Sequence, residues 1–497
     1  MFNTIPGNLI APIVAFEVNS GGQFENRSRL LLIGFALAAG AVIAANTPTP
    51  CPSIAEARRL AGAGSMLDDM VRLARQNAPA QEIWIMAVPE TGTKGSRTIT
   101  IDDAPSAGAA AVQIAGETLI FTVATGDTDE DVATALAAAV NGYFNKLTGA
   151  SLPYTAAAAL AVVTLTPRHS GVIMNGIDIN IPAIDGSNTL SGKVTIAAPT
   201  AGAGNPDLSG GLAALGDDEF DWIVSPFSDD TNVGRYETLL SDISGRWAWN
   251  RQIYGHVFYP LADSIANLTT HGLAQDSRHL TVLPVIASSN APNPVWHWAA
   301  GMAARIVPWL SDGATGNVSR NQTGLVVEGL LPPRDRAGWL DYATRDAFLG
   351  SGLSTWKVNT GGDVVIDKII TTSRTFNDVP DTTFRDVQKI GQLVYALRRF
   401  RTDLTVEHGQ KAVADDNPAN LNTISTPSDI KATFMHSYQR MVNTGVLENP
   451  GRAADLIEVK RNADNPNRVD IYAPIDMVNP LDVIAANAVV YSQFSPA

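Results

Sequence analysis

The sequence predicts a multidomain α/β protein, α+β in overall content. It has a discontinuous core domain, an inserted β-rich domain and extended strand arms at the N- and C-termini. Three observations carry this. Strand-like and helix-like runs alternate from Arg29 to Val88 and again from Phe220 to Trp309, the rhythm of a parallel sheet with crossover helices. Between them, residues 97–197 hold short strand-like runs bracketed by turn-rich segments. Both chain ends are apolar and strand-prone, where most domains are polar and frayed. The division that follows is an N-terminal arm of 1–22, a core of 23–90 plus 210–478, an insert of 91–209 and a C-terminal arm of 479–497.

The first arm strand is Ile10–Val18, with Ile10 and Ile13 at its start and Val14, Phe16 and Val18 sharing one face. Pro12 limits its ladder, and Gly21-Gly22 supplies a hinge. Arg29–Leu37 reads as a buried strand. The uncharged stretch Leu30–Ala45 is 16 residues long, short of the roughly 20 that a membrane span needs. Glu17 and Glu25 precede it, so it is not a signal peptide either, and a soluble chain without an export signal is expected. Helices follow at Ser53–Ala61, where Ser53 and Glu56 form a capping-box pattern, and at Ser65–Gln76, then a strand at Glu82–Val88.

In the insert the strand-like runs are Thr98–Ile101, Glu117–Val123, Ala161–Thr166, Gly176–Ile181 and Lys193–Ala197, with one helix at Asp129–Phe144. The core rhythm resumes with strands Phe220–Val224, Gln252–Tyr259 and His279–Ile286 and helices Asp230–Asn250, Leu261–Thr270 and Val295–Trp309. Helices Asp335–Leu349, Thr383–Leu404 and Ser428–Thr444 and strands Leu456–Lys460, Arg468–Pro474 and Leu481–Phe494 complete the chain. The last strand carries Val483, Ile484, Val489, Val490, Tyr491 and Phe494, and Asn479-Pro480 is its hinge. An unpaired apolar strand at a terminus is a hazard in a monomer and an attachment device in a polymer.

At 497 residues the chain exceeds one ordinary core, and two or three domains are expected. Hydrophobic content of 45% with 17% charged residues is that of a globular protein. A net charge of −14 argues against a nucleic-acid backbone as partner. The basic run Arg398–Arg401 reads as a helix end, where the dipole favours cations. Cys51 is the single cysteine, so no internal disulfide forms. Its proline-rich setting, Thr47–Pro52, predicts an exposed loop with an idle thiol and no basic neighbour.

Motifs of catalysis are missing. There is no G-x-S-x-G, H-E-x-x-H or C-x-x-C. Gly186–Val194 has the wrong glycine spacing for a phosphate loop and leads into a strand. Gly62-Ala63-Gly64 lacks the third glycine of a dinucleotide fingerprint, and Asp127–Asp131 lacks the glycine and glutamate of a calcium loop. The seven histidines form no helical metal pair, and His297, between Trp296 and Trp298, reads as core. No catalytic, cofactor-binding or metal residue is assigned, and no enzyme activity is expected.

Several local strings, taken in order, resemble the Mu-like contractile phage tail sheath proteins. They are Ile5-Pro6, Pro12 and Phe16–Ser20, then Gly64–Leu67 with Met70, Glu82-Ile83-Trp84 and Pro89. Gly245-Arg246-Trp247, Gln252–His256, Arg278-His279, Thr383–Asp386 and the closing strands continue the series. The insert matches least, and the text around Ile13 departs from the pattern. The resemblance implies a discontinuous sheath core and subunits stacked as six-fold rings in a helix around a tail tube. Arms would pair with strands of neighbouring copies, and contraction would drive the tube through the host envelope. The implied partners are further copies, the tail tube protein, and baseplate and tail terminator proteins, with no nucleic acid and no membrane insertion. The implied place is the virion tail sheath, assembled in the host cytoplasm. Lys431 and Arg440, on the last long helix, are the expected tube-facing cations. Three rival readings remain: the sheath of a phage-like bacteriocin or injection machine, an α/β enzyme with a β-rich binding insert, and a capsid or adhesin subunit, which the α/β core disfavours.

Overall fold

Leu30, Leu31, Leu32 and Ile33 follow one another without a polar residue, so their strand must be covered on both faces. In the computed structural model, which describes residues 28–491, all four are fully buried in β1 (Arg29–Gly34). After β1 come β2 (Thr49–Pro50), α1 (Ile54–Ala61), α2 (Met66–Asn77) and β3 (Glu82–Ala87). Ser53 caps α1 by accepting from the Glu56 N–H at 3.1 Å, and Ser65 caps α2 through the Asp68 N–H at 3.1 Å.

The chain then leaves this layer. Strands β4 (Arg97–Ile101), β5 (Gly108–Ile114) and β6 (Glu117–Val123), helix α3 (Asp129–Gly142), and strands β7 (Tyr154–Ala159), β8 (Val162–Pro167), β9 (Ile179–Asn180) and β10 (Val194–Ile196) build two sheets of their own. One sheet runs β10-β4-β8-β7, the other β6-β5-β9.

On its return the chain forms α4 (Ser209–Ala214), β11 (Trp222–Val224), α5 (Asp230–Leu240), β12 (His256–Asp263), α6 (Ile265–Ala274), β13 (Leu280–Ile286) and α7 (Val295–Leu310). The main sheet has the order β13-β12-β11-β1-β3-β2. Its neighbours are parallel except for the antiparallel pair β2–β3. After α8 (Tyr342–Gly350), the hairpin of β14 (Thr355–Val358) and β15 (Val364–Lys368) extends this sheet beyond β13. The join is the bridge Val282↔Leu353 and the bond from Ser354 N–H to Val282 O at 3.2 Å.

The last elements are β16 (Thr375–Phe376), β17 (Val379–Pro380), α9 (Val387–His408), β18 (Ala412–Val413), β19 (Ile424–Ser425), α10 (Pro427–Asn443), α11 (Pro450–Leu456), β20 (Glu458–Arg461) and β21 (Val469–Tyr472). Val387, Ile390 and Val394 of α9 join the core around the main sheet, while Phe400 and the apolar residues of α10 and α11 form a second, separate core. Phe400 of α9 stacks on Phe434 of α10 at 3.9 Å, with Tyr438, Met441 and Leu447 around them.

Residues 97–196 join the main-sheet layer through a neck in which two backbones touch. Thr93 bridges Ala203 and Ser96 bridges Thr200. A Cβ on Gly202 would lie 2.8 Å from Thr93 O, and one on Gly92 would collide with Ala203 O. The seam beside the neck is polar. Arg58 of α1 donates to Gly149 O and lies 4.9 Å from the Phe144 ring centroid. His169 accepts the Met66 N–H at 3.0 Å and meets Glu90 at 2.5 Å. Arg334 grips Asp178 with two bonds of 2.6 and 2.7 Å. Asp68, buried in this seam, accepts the Gly64 N–H at 3.0 Å and faces Arg58 at 3.5 Å. Burial pushes its carboxyl up to about 6, and the backbone bond and Arg58 offset only part of that.

Several expectations are corrected. Alanine-rich β5 and β7 are strands that the sequence reading leaves unassigned, because alanine carries little strand preference. Helix α5 stops at Leu240, ten residues before Asn250. A Cβ on Gly245 would lie 2.4 Å from Ser241 N, and Arg246 locks the loop by donating to Tyr254 O at 2.8 Å and Asp218 O at 2.6 Å. Strand β12 runs on to Asp263, so α6 begins only after its cap, Ser264. Helix α8 begins at Tyr342 behind its cap Asp341, not at Asp335. Only Ile179–Asn180 of Gly176–Ile181 is strand. The expected strand Leu481–Phe494 is absent over residues 481–491, since a strand needs a ladder partner and none of the described residues forms one there. The expected strand Ile10–Val18, the Gly21-Gly22 hinge and Phe494 lie outside the described residues.

Two measurements probe the neck and its seam. Gly202→Ala should destabilise the protein by about 1–3 kcal/mol in thermal or urea unfolding. Gly176→Ala, whose Cβ would meet nothing within 4 Å, should be close to neutral. Because the folded-state pKa of Asp68 lies above its ordinary 3.8, its site favours the protonated fold, and that stabilisation is lost as pH rises from about 4 through 6. Asp68→Asn should therefore flatten that limb of the stability–pH curve by about 2–3 kcal/mol. An unchanged slope refutes it.

Candidate assembly site

The end of the described chain is fastened in steps. Residues 446–448 and 476–478 run antiparallel, with the Glu448 N–H donating to Asp476 O at 2.9 Å and the Val478 N–H to Val446 O at 3.2 Å. From α9, Lys389 donates to Met477 O at 3.0 Å, and Gln392 to Val478 O at 2.9 Å. Four residues later Asp482 enters an ionic cluster. Its carboxylate pairs with Lys368 at the end of β15 and lies 3.8 Å from Arg385, while Asn321 donates to Leu481 O at 2.7 Å and to Asp482 at 3.1 Å. Lys368 is shared with Asp386, the residue before α9, at 2.9 Å. This cluster forms one wall of a cleft of about 720 Å³, whose lining includes Tyr342, Arg345, Arg374 and Val483.

From Val483 to Tyr491 every residue is exposed. Val483, Ile484, Val489, Val490 and Tyr491 are 61–91% exposed, and Asn479 is exposed while Pro480 is half-buried. The predicted arm residues that can be described are therefore brought together on one extended segment. Asp482, attached through Lys368, lies two residues past the predicted hinge.

Lys431 and Arg440 lie on α10 but differ in commitment. Lys431 donates to Ile457 O at 3.0 Å, tying α10 to the residue after α11, whereas Arg440 is exposed on the same helix. The run Arg398–Arg401 is not a helix end. It sits within α9, and Arg398 is buried and bonded to Asp221, just before β11, at 2.7 and 2.6 Å, with Glu219 at 3.1 Å. This ion pair joins the second core to the main sheet. The sequence hides it because the partners lie 177 positions apart.

Other expectations resolve locally. Cys51 is fully buried, not exposed: its N–H donates to Ile83 O at 2.8 Å, and Arg75 donates to its carbonyl at 2.8 Å. Burial pushes its thiol up to about 11, so it stays protonated. Trp296, His297 and Trp298 are all buried in α7, as the core reading has them, but His297 also faces Asp69 at 3.3 Å. Burial holds His297 below the usual imidazole range, and Asp69 only partly restores it. Among the described residues, no group of three His, Cys, Asp or Glu side chains is placed to hold a metal ion, and no helix is long and apolar enough to cross a membrane.

Comparison with known proteins fits this architecture. The chain is 28% identical, over 97% of its length, to the Mu-like prophage FluMu tail sheath protein of Haemophilus influenzae, covering 98% of that protein. Residues 201–372 match the phage tail sheath protein central domain. The chain is similar to phage tail sheath proteins. The matched region begins at the returning strand of the neck and ends just past β15, so it takes in β11, β12 and β13 and the Lys368 side of the Asp482 cluster. A crystal structure of the sheath tail protein from Desulfitobacterium hafniense shares the fold at a TM-score of 0.51 with 12% identity, covering 94% of this chain and 97% of that one. Tail sheath proteins are structural components of a phage tail, not enzymes.

The Arg398–Asp221 pair makes a direct test of how the two cores are joined. Arg398→Met leaves a buried carboxylate without its partner and should cost about 3–5 kcal/mol in unfolding experiments. Adding Asp221→Asn should recover much of that loss, and additive losses would overturn the assignment.

Proposed function

We propose that this chain is a tail sheath protein that polymerises by lending its terminal segments to neighbouring copies, forming stacked six-fold rings around a tail tube. The observation that carries this reading is the extended, apolar, exposed segment 483–491, held at a fixed root. Each main-chain hydrogen bond in an added ladder contributes about 0.5–1.5 kcal/mol net. A few such bonds per copy hold weakly one by one and firmly when repeated through a lattice. The hairpin β20–β21 is a receiver of the right kind. It has two strands, Val459 and Ile471 pack against the second core, and among the described residues no further strand covers either edge.

Residues 1–22, with Ile10, Ile13, Val14, Phe16 and Val18, supply the second lending segment. The core comprises 23–90 plus 210–478, and 91–209 is an outer module on the neck. That module has ten acidic and five basic residues, a composition suited to a solvated outer face. Contraction draws on the difference between two packings of the same subunits, not on a bound fuel. On the tube side, the exposed Arg440 meets acidic tube groups, and Lys431 braces the helix that presents it. Baseplate and terminator proteins close the two ends of the stack, which assembles in the host cytoplasm.

The protein expressed alone and imaged by negative stain should give tubes or stacked rings with six-fold symmetry. Deleting 483–497 should leave folded monomers, because every fastening up to Asp482 is kept. Monomers from the intact chain at high concentration, or normal polymers from the deletion, would refute strand lending.

A further inference from the structure

The module beyond the neck closes strand backbones with asparagine side chains at two places and leaves a third place open. On the edge strand β7, Asn141 of α3 donates to Ala156 O at 2.8 Å and accepts the Ala156 N–H at 2.9 Å. On β5, Asn188 does the same for Ala111, at 2.9 and 3.1 Å. The edge strand β6 has no such plug among the described residues.

The partners of β5 decide which backbone groups of β6 face outward. The Ala115 N–H donates to Asp178 O, the Thr189 N–H donates to Ala109 O, and Asn188 takes Ala111, so the odd-numbered residues of β5 turn away from β6. Its even-numbered residues Gly108, Ala110, Val112 and Ile114 therefore exchange bonds with Val123, Phe121, Leu119 and Glu117. Thr118, Ile120 and Thr122 are left with N–H and C=O on the open edge, and among the described residues no hydrogen bond reaches those groups. The same three side chains face water, with Ile120 63% exposed. All three are β-branched, and the strand has no proline and one charge, Glu117 at its start. An uncovered edge of this kind recruits another strand.

We propose that β6 pairs with β6 of a second copy of this chain, antiparallel about a two-fold axis through Ile120. A second copy is selected because the strand is its own complement. With Ile120 opposite Ile120, each Thr118 stands opposite a Thr122, and both are favourable cross-strand pairs. The three outward residues meet as hydrogen-bonded pairs, about six bonds in all. The two Glu117 carboxylates fall at opposite ends, so like charges do not meet. A two-fold axis reverses one copy against the other, whereas successive subunits of a polar stack share one direction. The pair is therefore a contact of unassembled copies, separate from the strand lending proposed above. It joins one strand edge only, so it is weak and transient.

Disulfide trapping reads both the contact and its register in the full chain, where the native Cys51 is buried and does not compete. Cα atoms of a hydrogen-bonded pair lie about 5.5 Å apart, within disulfide reach. Ile120→Cys should give a covalent dimer on mild oxidation, seen on a non-reducing gel. Thr118→Cys alone should give none, because its two copies lie about 13 Å apart. An equimolar mixture of Thr118→Cys and Thr122→Cys chains should link as Ile120→Cys does. Adding Ile120→Lys to both chains of that mixture should abolish the link, since it sets two cations opposite one another, and should leave thermal unfolding unchanged at this exposed site. No link from Ile120→Cys, or equal linking by Ile120→Cys and Thr118→Cys, overturns the pairing. Strand lending is untouched by either result, since its own test is the deletion of 483–497.

Discussion

Five parallel strands with apolar side chains on both faces cannot be left open to water on either side. That requirement organises the main layer. Helices α2 and α7 pack on one another and on β1, and α7 also reaches β11, β12 and β13. Tyr259 of β12 meets Tyr236 of α5 at 6.2 Å between ring centroids and donates to or accepts from His271 of α6 at 2.9 Å, so these helices serve the same strand. Where the covered sheet meets other units, charged pairs stand beside the apolar contacts: Arg398 with Asp221, Arg334 with Asp178, Lys368 with Asp386. Apolar burial builds each unit, and directional bonds set how the units sit.

Strands with continuous or alternating apolar runs could be read directly, as could helices with a side-chain cap. Ser53 and Glu56 mark the start of α1 in the sequence, and Ser53 caps it in the fold. The parallel rhythm around Leu30–Ile33, Ile83–Met86 and Leu280–Ile286 carried enough information to foresee the main layer. Local pattern fails where distant residues decide. Gly108–Ile114 and Tyr154–Ala159 are strands because β6, β9 and β8 pair with them, not because alanine prefers a strand. Pro50 and Pro52 look like the borders of an exposed loop, yet the pairing of Pro50 with Trp84 draws Cys51 inside. The C-terminal segment divides the same way. Its apolar residues stand out in the sequence, whereas Asp482, Lys368 and Asn321 look like any surface charge or amide until the fold brings them together.

Electrostatics has three distinct uses in this chain. Arg398 and Asp221 are buried and bidentate, which fixes geometry more than it adds stability. Asp68 is buried with incomplete compensation, so its site opposes the fold at neutral pH, a cost carried by the seam between two modules. Asp482 is partly exposed and shares Lys368 with a second carboxylate, Asp386. Burial and partner number, not charge alone, separate these three uses.

The glycine neck has a consequence for descent. Its two backbones enter and leave side by side, with Thr93 against Ala203 and Ser96 against Thr200. From the scaffold's side, whatever hangs beyond it is a loop already closed, and the entropy of closing a loop grows only slowly with its length. That module can therefore be enlarged, trimmed or replaced at little entropic cost to the fold. The parallel sheet from which it hangs need not change. A two-backbone port of this kind can stay constant while its cargo changes.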